Sequence, residues 1–517
     1  MELWLLILIS VPLGVFLKAL VNIVFLSQTH KLPPAPFTFP IIGNILWLRK
    51  STFELERAIR SLNQKLGPIV TLHIGSRPTI FIADRSLAYL ALIQNGAFFG
   101  NRPPAPATSR VIGSNQISTS SYGPNWRVLR RNLTSEILHP SRVKTFGHAR
   151  KWVLNNLKNQ IDLLSRTGDP VRVVDHLQNA MFCLLVFMCF GDKVEDKKIK
   201  EIEQVERRMV VNHSRFNILN FCPSLSKIVL RKRWAQFLQL RKDQEEVILP
   251  LIRARREVKE QRLRNLNVEG HEYVLSYVDT LLDLQLPDEK RKLNELEILN
   301  LCNEFLNGGT DTTTTALQWI MTNLVKYPQI QEKLLLEIKE VVGEGEEVVK
   351  EDDLGKMPYL KAIVLEGLRR HPPARLVLPH AVTKDTVLGE FLVPKNGTVN
   401  FMVADMGWDS KVWDDPMAFK PERFLNSERE ISFDITGSRE IKMMPFGAGR
   451  RICPGYGLAI LHLEYFVANL ILSFEWRAVD GDDIDLSEKQ ELTIVMKNPL
   501  CAHISRRDAG SRAQVHD

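Results

Sequence analysis

A single cysteine, Cys453, lies in a glycine-rich window near the C-terminal end of the chain, and this window restricts the possible folds most. Residues 446–455 read FGAGRRICPG. A cysteine binds a metal only as a thiolate, which neighbouring cations and accessible backbone N–H groups favour. Arg450 and Arg451 supply the cations, and the glycines expose the backbone. The window therefore predicts a thiolate presented to a metal, with a buried cysteine in an ordinary glycine-rich turn as the alternative.

A zinc site is the chemical alternative for Cys453. The sequence places no second cysteine at zinc-ligand spacing from it, and His462, the nearest histidine, lies in an apolar helical run typical of a packed side chain. The six cysteines of the chain are scattered without a framework spacing. They are therefore expected to be reduced, as in the cytosol.

The same window resembles the heme-binding signature of the cytochrome P-450 superfamily, Phe-x-x-Gly-x-Arg-x-Cys-x-Gly. Every fixed position is filled, by Phe446, Gly449, Arg451, Cys453 and Gly455. The resemblance implies that heme b, iron protoporphyrin IX, is the cofactor and that Cys453 is the proximal ligand of its iron. It also implies that Arg451 meets a heme propionate.

The length and composition fit one large catalytic unit. The chain has 517 residues, 44% hydrophobic and 25% charged, and no linker, repeat or low-complexity tract interrupts its body. Alternating apolar residues over 69–74 and 79–82 predict a β-hairpin, and the pattern from about residue 120 onward is mostly helical. We expect a mainly α fold with a small β portion. The resemblance implies a triangular, helix-rich cytochrome P-450 domain over residues 41–517.

The first 28 residues predict a membrane anchor helix. The stretch over residues 1–26 is mostly apolar and long enough to span a bilayer. The cations that follow it, Lys31, Arg49 and Lys50, place the remaining chain in the cytosol by the positive-inside rule. The resemblance to the family implies a single-pass protein of the endoplasmic reticulum membrane. Lys18 leaves a tilted or an interfacial helix open. Residues 29–40 are rich in proline and predict a stiff hinge.

One long helix is predicted to begin near Asn294, capped with Glu297, and to end at Tyr327 before Pro328. Residues 308–315 read GGTDTTTT, a composition that disfavours a helix interior. This segment resembles the oxygen-binding motif of the family. The resemblance implies that Thr312 holds dioxygen and its water and that Asp311 helps to deliver protons. A helix kink or a seam of small packed residues is the alternative.

Other positions match family elements. By resemblance, Glu366, Arg369 and Arg423 form a buried structural triad. Trp126 and Arg130 lie one helical turn apart and are expected to reach one heme propionate. His380 falls where relatives often place another propionate donor, with an ordinary loop histidine as the alternative.

The net charge of +8 is explained better by lipid attraction near the anchor and by docking of a reductase than by nucleic acid, for which the sequence carries no motif. Arg127, Arg131 and Arg450 predict a basic surface for an acidic electron donor. That donor would be NADPH-cytochrome reductase, or cytochrome b5.

The resemblance is to plant microsomal members, and more loosely to a land-plant subfamily associated with oxidation of chlorophyll breakdown products. It implies a heme-thiolate monooxygenase that inserts activated oxygen into a small organic substrate. Two alternatives stay open: a heme-thiolate isomerase or dehydratase that needs no dioxygen, and a non-catalytic heme-binding sensor or carrier. Arg375 has three possible partners, namely a substrate carboxylate, a heme propionate and solvent.

Overall fold

The structure is a computed structural model that describes residues 32–36, 52–74, 77–113, 115–191, 194–220, 223–264, 274–343, 345–428, 430–479 and 484–507. The predicted anchor, residues 1–28 with Lys18, lies outside the described residues. So does the predicted hinge, apart from residues 32–36. In that short piece the carbonyl of Pro34 accepts a hydrogen bond from the backbone N–H of Thr71, at 2.8 Å. This bond ties the middle of the predicted hinge to the first strand.

Helices make up most of the described chain. The α-helices are α1 (Thr52–Leu66), α2 (Arg85–Tyr89), α3 (Gly96–Phe99), α4 (Ala107–Ile112), α5 (Pro124–Asn132), α6 (Pro140–Thr145), α7 (Gly147–Ser165), α8 (Val174–Phe190), α9 (Asp196–Phe216), α10 (Pro223–Val229), α11 (Arg231–Arg264), α12 (Tyr277–Leu282), α13 (Glu295–Lys326), α14 (Pro328–Val342), α15 (Pro358–Arg370), α16 (Val403–Gly407) and α17 (Tyr456–Ser473). Short π-helical turns cover Leu90–Gln94 and Leu133–Ile137, and 3-10 turns cover Asn217–Asn220, Glu351–Lys356, Pro421–Phe424 and Gly449–Arg451.

The strands are short. They are β1 (Ile69–Ile74), β2 (Arg77–Ile82), β3 (Val171–Arg172), β4 (Gln285–Leu286), β5 (Arg291–Lys292), β6 (His380–Ala381), β7 (Thr386–Leu388), β8 (Phe391–Val393), β9 (Thr398–Phe401), β10 (Phe474–Ala478), β11 (Glu488–Gln490), β12 (Ile494–Met496) and β13 (Cys501–Arg506). The prediction of a mainly α fold with a small β portion is therefore confirmed.

The described residues divide into two compact units. The sheet unit comprises those of Met1–Pro103, Arg375–Pro416 and Asp434–Ile452. The helical unit comprises those of Pro104–Ala374, Met417–Phe433 and Cys453–Asp517. The sheet unit contains the strand order β1-β2-β9-β6. The helical unit contains the three-stranded sheet β10-β13-β3 and the β11-β12 pair.

The core of the sheet unit follows from the alternation of its strands. The predicted hairpin is confirmed, because Ile69–Ile74 pairs antiparallel with Arg77–Ile82. Val70 and Phe81 point to one face and pack with Ile59 of α1. Ile69 and Ile80 belong to the cluster on the other face. This period of two, with both faces apolar, is what a sheet covered on both sides requires.

The helical unit is organised around α13. Its N-cap is Asn294, whose side chain accepts from the Glu297 N–H while the Glu297 side chain accepts from the Asn294 N–H, so the predicted capping pair is confirmed. The helix has 32 residues and is about 48 Å long. It ends at Lys326, and Pro328 begins the next helix, as predicted.

Glycines set the distance between α13 and two neighbouring helices. A Cβ on Gly309 would lie 2.7 Å from Cδ1 of Leu185 on α8, and a Cβ on Gly367 of α15 would collide with the side chain of Ile320. Larger side chains at Gly309 and Gly367 would therefore push the helices apart.

One helix among the described residues, Tyr456–Ser473, has the length and apolar composition that could cross a membrane. It is 61% buried, as in the core helix of a folded protein.

Candidate functional site: a thiolate loop and the α13 helix

Cys453 lies in the helical unit, just before α17, whose N-cap is Gly455. Its sulfur accepts the backbone N–H of Gly455 and lies near the guanidinium of Arg130. Burial raises the pKa of the Cys453 thiol, while the Gly455 N–H and the Arg130 charge oppose that rise. The thiol form is therefore favoured until a metal cation takes the place of its proton.

The residues before Cys453 belong to the sheet unit and form a tight loop. Gly447 and Gly449 have φ of +69° and +70°. A Cβ on Gly449 would also collide with the carbonyl oxygen of Leu92, so only glycine fits there. Arg451 donates from Nε to the carbonyl oxygen of Gly100, at 2.8 Å. Phe446 is half-buried.

Arg130 and Trp126 both lie on α5, and the structure brings Arg130 near Cys453. Burial lowers the pKa of Arg130, and Cys453 opposes this shift. Trp126 is 4% exposed, and its Nε1–H donates to the carbonyl oxygen of Ile117, at 2.9 Å. A heme propionate would have to share or replace that hydrogen bond, and the contact stays a prediction.

His380 begins strand β6 in the sheet unit and is buried. Its Nδ1 lies 2.6 Å from the carbonyl oxygen of Phe99, and because a carbonyl only accepts, Nδ1 carries the hydrogen. Burial, together with the charges of Arg102 and Arg451, lowers the pKa of His380 to about 3. The ring is therefore neutral at physiological pH, and Nε2 can donate to a carboxylate only after protonation.

Midway along α13, Gly308 and Thr312 lie one turn apart on one side. The Thr312 hydroxyl donates to the Gly308 carbonyl, at 2.7 Å. A Cβ on Gly308 would meet no described atom within 4 Å, so this side of the helix is open. Gly309, in contrast, belongs to the seam with α8. The two glycines therefore have different roles. Gly309 allows α13 to pack against α8, whereas Gly308 leaves room for a ligand.

Asp311 faces charged residues that sequence reasoning missed. Its Oδ1 lies 3.5 Å from Arg207 on α9, and Arg207 also lies 3.6 Å from Oε2 of Glu491. Burial raises the pKa of Asp311, and the Arg207 charge opposes that rise. A small cavity borders Asp311, Thr314 and Glu491. Both partners are far from Asp311 in sequence, and no local pattern identifies them.

A second acid beside α13, Glu206, was also missed. It is 1% exposed and accepts from Asn307 Nδ2 at 2.6 Å and from Gln244 Nε2 at 3.0 Å. Burial raises the pKa of Glu206 to about 7. Because Glu206 stands in a run of charged residues on α9, no local pattern indicates that this one is buried.

Glu366, Arg369 and Arg423 lie together in the helical unit. Arg369 donates to the Glu366 carboxylate from Nε at 2.7 Å and from Nη2 at 2.8 Å, and Arg423 Nε lies 3.2 Å from it. The backbone N–H of Lys420 donates to the same carboxylate, at 2.8 Å. All four donors converge on one buried acid.

Arg375 has a partner within the sheet unit. Its Nη1 lies 2.7 Å from the carboxylate of Glu56, and its guanidinium is 5.0 Å from the ring centroids of both Phe53 and Trp408. At 7% exposed it does not point to solvent. The ion pair with Glu56 and the contacts with the two aromatic rings therefore give Arg375 a structural role within the sheet unit.

Comparisons with known proteins agree with these features. The family model described as Cytochrome P-450 matches residues 33–504. The chain is 52% identical to cytochrome P-450 89A9 of Arabidopsis thaliana over 97% of its own length and 98% of that protein's length. It is 31% identical to isoflavone 3'-hydroxylase of Medicago truncatula, with 96% of each covered.

Among solved structures, a zebra fish cytochrome P-450 with abiraterone superposes with a TM-score of 0.70. The superposition covers 88% of this chain and all of that one, at 22% identity, and supports the fold alone. The family match and the relatives together, over nearly the whole chain, place this protein in the cytochrome P-450 family as a plant heme-iron monooxygenase.

Proposed function

We propose that the chain is a membrane-anchored monooxygenase that uses dioxygen and NADPH-derived electrons to oxidise or hydroxylate a small organic substrate. The observation that carries the proposal is the setting of Cys453. The Gly455 N–H and the Arg130 charge both favour its thiolate, and they act on a side chain that burial otherwise keeps protonated. This setting suits a thiolate that forms when an iron binds.

Each of the two units supplies side chains whose chemistry suits a heme. Cys453 would be the iron ligand, Phe446 and Gly455 would flank it, and Trp126, Arg130 and Arg451 would hold the propionates. His380 would join them only when its ring is protonated. When bound, the heme supplies activation of dioxygen, with electron density pushed from the thiolate. The chain's own contribution is to hold the thiolate and to neutralise the propionate charges.

Thr312, on the open side of α13, and Asp311, which faces Arg207, would together manage protons. The Thr312 hydroxyl already has an acceptor in Gly308, so its oxygen can accept a further hydrogen bond from a water. Asp311 lies near Arg207, and burial raises its pKa, so it keeps its proton to a higher pH than an exposed aspartate does. Both residues would be dispensable in a sensor.

The substrate class is narrowed by similarity alone. A relative of this chain is named as an isoflavone hydroxylase, which makes a plant specialised metabolite the first candidate. A lipid and a chlorophyll catabolite are the other two. We assign residues 1–28 to the anchor, 29–40 to the hinge and 41–517 to the catalytic domain.

Electrons would arrive from NADPH-cytochrome reductase, or from cytochrome b5. Arg127 and Arg131 are exposed on α5, the helix that also carries Arg130 beside Cys453. Arg450 is exposed in the sheet unit. These cations would attract an acidic donor protein and speed its association at low salt.

The carbon monoxide difference spectrum of the reduced protein tests the proposal. We expect the red-shifted thiolate band with dithionite and equally with NADPH plus a plant reductase. A band with dithionite alone would favour the isomerase or sensor alternatives. If neither reductant gives the band, Cys453 does not hold a heme, and the proposal fails.

Replacing Thr312 with alanine is expected to preserve the thiolate band but to raise peroxide release per NADPH consumed by several-fold, because the side-chain hydroxyl is lost. The measurement compares NADPH, peroxide and product under one set of conditions. Thr312→Ser keeps the hydroxyl and is the matched control. Unchanged coupling in Thr312→Ala would remove Thr312 from the proton path.

The helical unit also offers a surface for lipid. Three aliphatic side chains on α10 and at its end are strongly exposed, Leu225 at 60%, Ile228 at 74% and Val229 at 68%. Arg231 and Lys232 follow them at the start of α11 and are exposed as well. An apolar tip with adjacent cations suits the interface of an anionic bilayer.

We expect a fluorophore on Val229→Cys to be quenched several-fold by brominated lipids in vesicles that carry the full-length protein. Leu163→Cys is the control, because Leu163 is an equally exposed aliphatic residue, at 67%, on α7. Both variants are made in a Cys501→Ser background, since Cys501 is exposed. Equal quenching at the two sites would contradict lipid contact by α10.

A further inference from the structure

Three polar side chains on one face of α13 hold the chain that precedes α5. Residues 297, 300 and 304 follow the i, i+3, i+7 spacing that aligns side chains along a helix. Asn300 donates from Nδ2 to the carbonyl oxygen of Ile112 at the end of α4, at 2.9 Å. Glu297 accepts from Nδ2 of Asn115, also at 2.9 Å. Polar contacts therefore fasten this stretch at successive turns of α13.

Glu304 makes the strongest of these contacts. One carboxylate oxygen accepts the backbone N–H of Ile117 at 2.8 Å, and the other accepts the N–H of Ser118 at 2.6 Å. A carboxylate that accepts two consecutive N–H groups makes charge-assisted bonds with a defined geometry. Residues 115–118, which we call the 115–118 segment, are thereby fixed to α13.

The same segment sets the orientation of Trp126. The N–H of Ile117 is held by Glu304, and its carbonyl oxygen accepts the Nε1–H of Trp126 at 2.9 Å. The indole ring lies 4.9 Å from the ring of Tyr122, centroid to centroid. Movement of Ile117 would therefore release the one polar group of the Trp126 side chain.

The backbone at Gly113 and at Asn115 has positive φ. Gly113 has φ of +129°, which glycine adopts readily, and Asn115 has φ of +71°, in the left-handed region where asparagine is more common than most residues. A Cβ on Gly113 would lie 2.8 Å from Nδ2 of Asn300. Glycine is therefore required at position 113, where the chain passes close to Asn300 of α13.

The position of Glu304 connects this arrangement to the site. Glu304 precedes Gly308 by one turn and Thr312 by about two turns, roughly 12 Å along the axis. The segment that Glu304 holds therefore borders the open side of the helix, where a Cβ on Gly308 would meet no described neighbour.

We propose that Glu304 is a positioning residue that holds the 115–118 segment against α13, and that by doing so it orients Trp126 and limits the entry of ligands to the distal side. The entry role rests on the proposed function, since it concerns access to a heme. The positioning role does not rest on the proposed function, because it concerns only backbone amides and the indole ring.

The test compares Glu304→Gln with Glu337→Gln in the full-length protein. Glu337 is a matched control, because its carboxylate also accepts two consecutive N–H groups, of Tyr359 at 2.7 Å and Leu360 at 2.8 Å. Glutamine can accept with only one atom of its amide, so at least one charge-assisted bond is lost in each variant. Glu304→Asp, whose carboxylate is one methylene shorter, is a second variant should Glu304→Gln not fold.

Two measurements are made on each protein. Hydrogen exchange at Ile117 and Ser118 should quicken by about tenfold or more in Glu304→Gln, because these amides lose a charged acceptor. The association rate of imidazole, followed by its absorption change at the heme, should rise at least about threefold. Glu337→Gln should change neither value.

Unchanged exchange at Ile117 and Ser118 in both Glu304 variants would overturn the positioning role. Faster exchange with unaltered imidazole entry would overturn the role in access. Failure of the proposed function looks different, because the wild-type protein would then lack the thiolate band with carbon monoxide while its amide exchange could still be compared with that of the variants.

Discussion

Cys453→Ser is expected to lose the thiolate band of the carbon monoxide difference spectrum completely and to lower product formation by at least about 10³-fold. A serine hydroxyl stays protonated near neutral pH, so it cannot replace a thiolate as an anionic ligand. The Gly455 N–H and the Arg130 charge, which favour a thiolate at this position, would remain without their partner. The spectrum and the bound heme per protein are measured together.

Cys501→Ser is the control for this change. Cys501 lies on β13 and is exposed, so its replacement should leave the spectrum unaltered. A thiolate band that survives in Cys453→Ser would exclude Cys453 as the iron ligand. Loss of the band in both variants would point to a general loss of folded protein, which the circular dichroism of the two proteins would reveal.

Glu366→Gln is expected to lower the free energy of unfolding by about 3–5 kcal/mol, the range for removing one partner of a buried ion pair. Glu366 and the side chain of Arg369 are fully buried, and Arg423 is nearly so. Both guanidinium groups pair with this one carboxylate, and a neutral amide would remove the negative charge that they share. Urea unfolding at pH 7, followed by circular dichroism, measures the difference.

The matched control is Glu475→Gln, the same substitution in an exposed pair. Glu475 lies 2.8 Å from Arg477 on β10, and both side chains are accessible, at 36% and 71%. We expect this change to cost less than about 1 kcal/mol. If the two variants unfold within about 1 kcal/mol of each other, the triad does not stabilise the helical unit in the way that its burial indicates.

The local elements near the site could be predicted because their causes are local. The capping pair of Asn294 and Glu297 needs residues only three positions apart, and Pro328 stops α13 whatever its surroundings. The hairpin of β1 and β2 follows from alternating apolar residues. The positive φ of Gly449 and the collision of a Cβ there with Leu92 explain why this residue is a glycine. The sequence identified the loop only through the spacing of the residues in its window.

Contacts between distant segments could not be predicted. Arg207 reaches Asp311, and Glu304 reaches the N–H groups of Ile117 and Ser118, only because helices α9 and α13 and the chain before α5 meet in space. Arg375 had three possible partners in the sequence, and the structure gives it a fourth, Glu56. Each of these charges would be an ordinary surface residue if the chain packed differently.

The sequence by itself determined the thiolate window, the capped distal helix and its glycine and threonine motif, since each depends on residue types at short, fixed spacings. Only the tertiary structure decided which glycine opens the helix and which closes a seam, because Gly308 faces open space and Gly309 faces Leu185. It also decided which acids are buried with raised pKa values, as at Asp311 and Glu206. Burial depends on what the rest of the chain places around a side chain, and no local pattern carries that information.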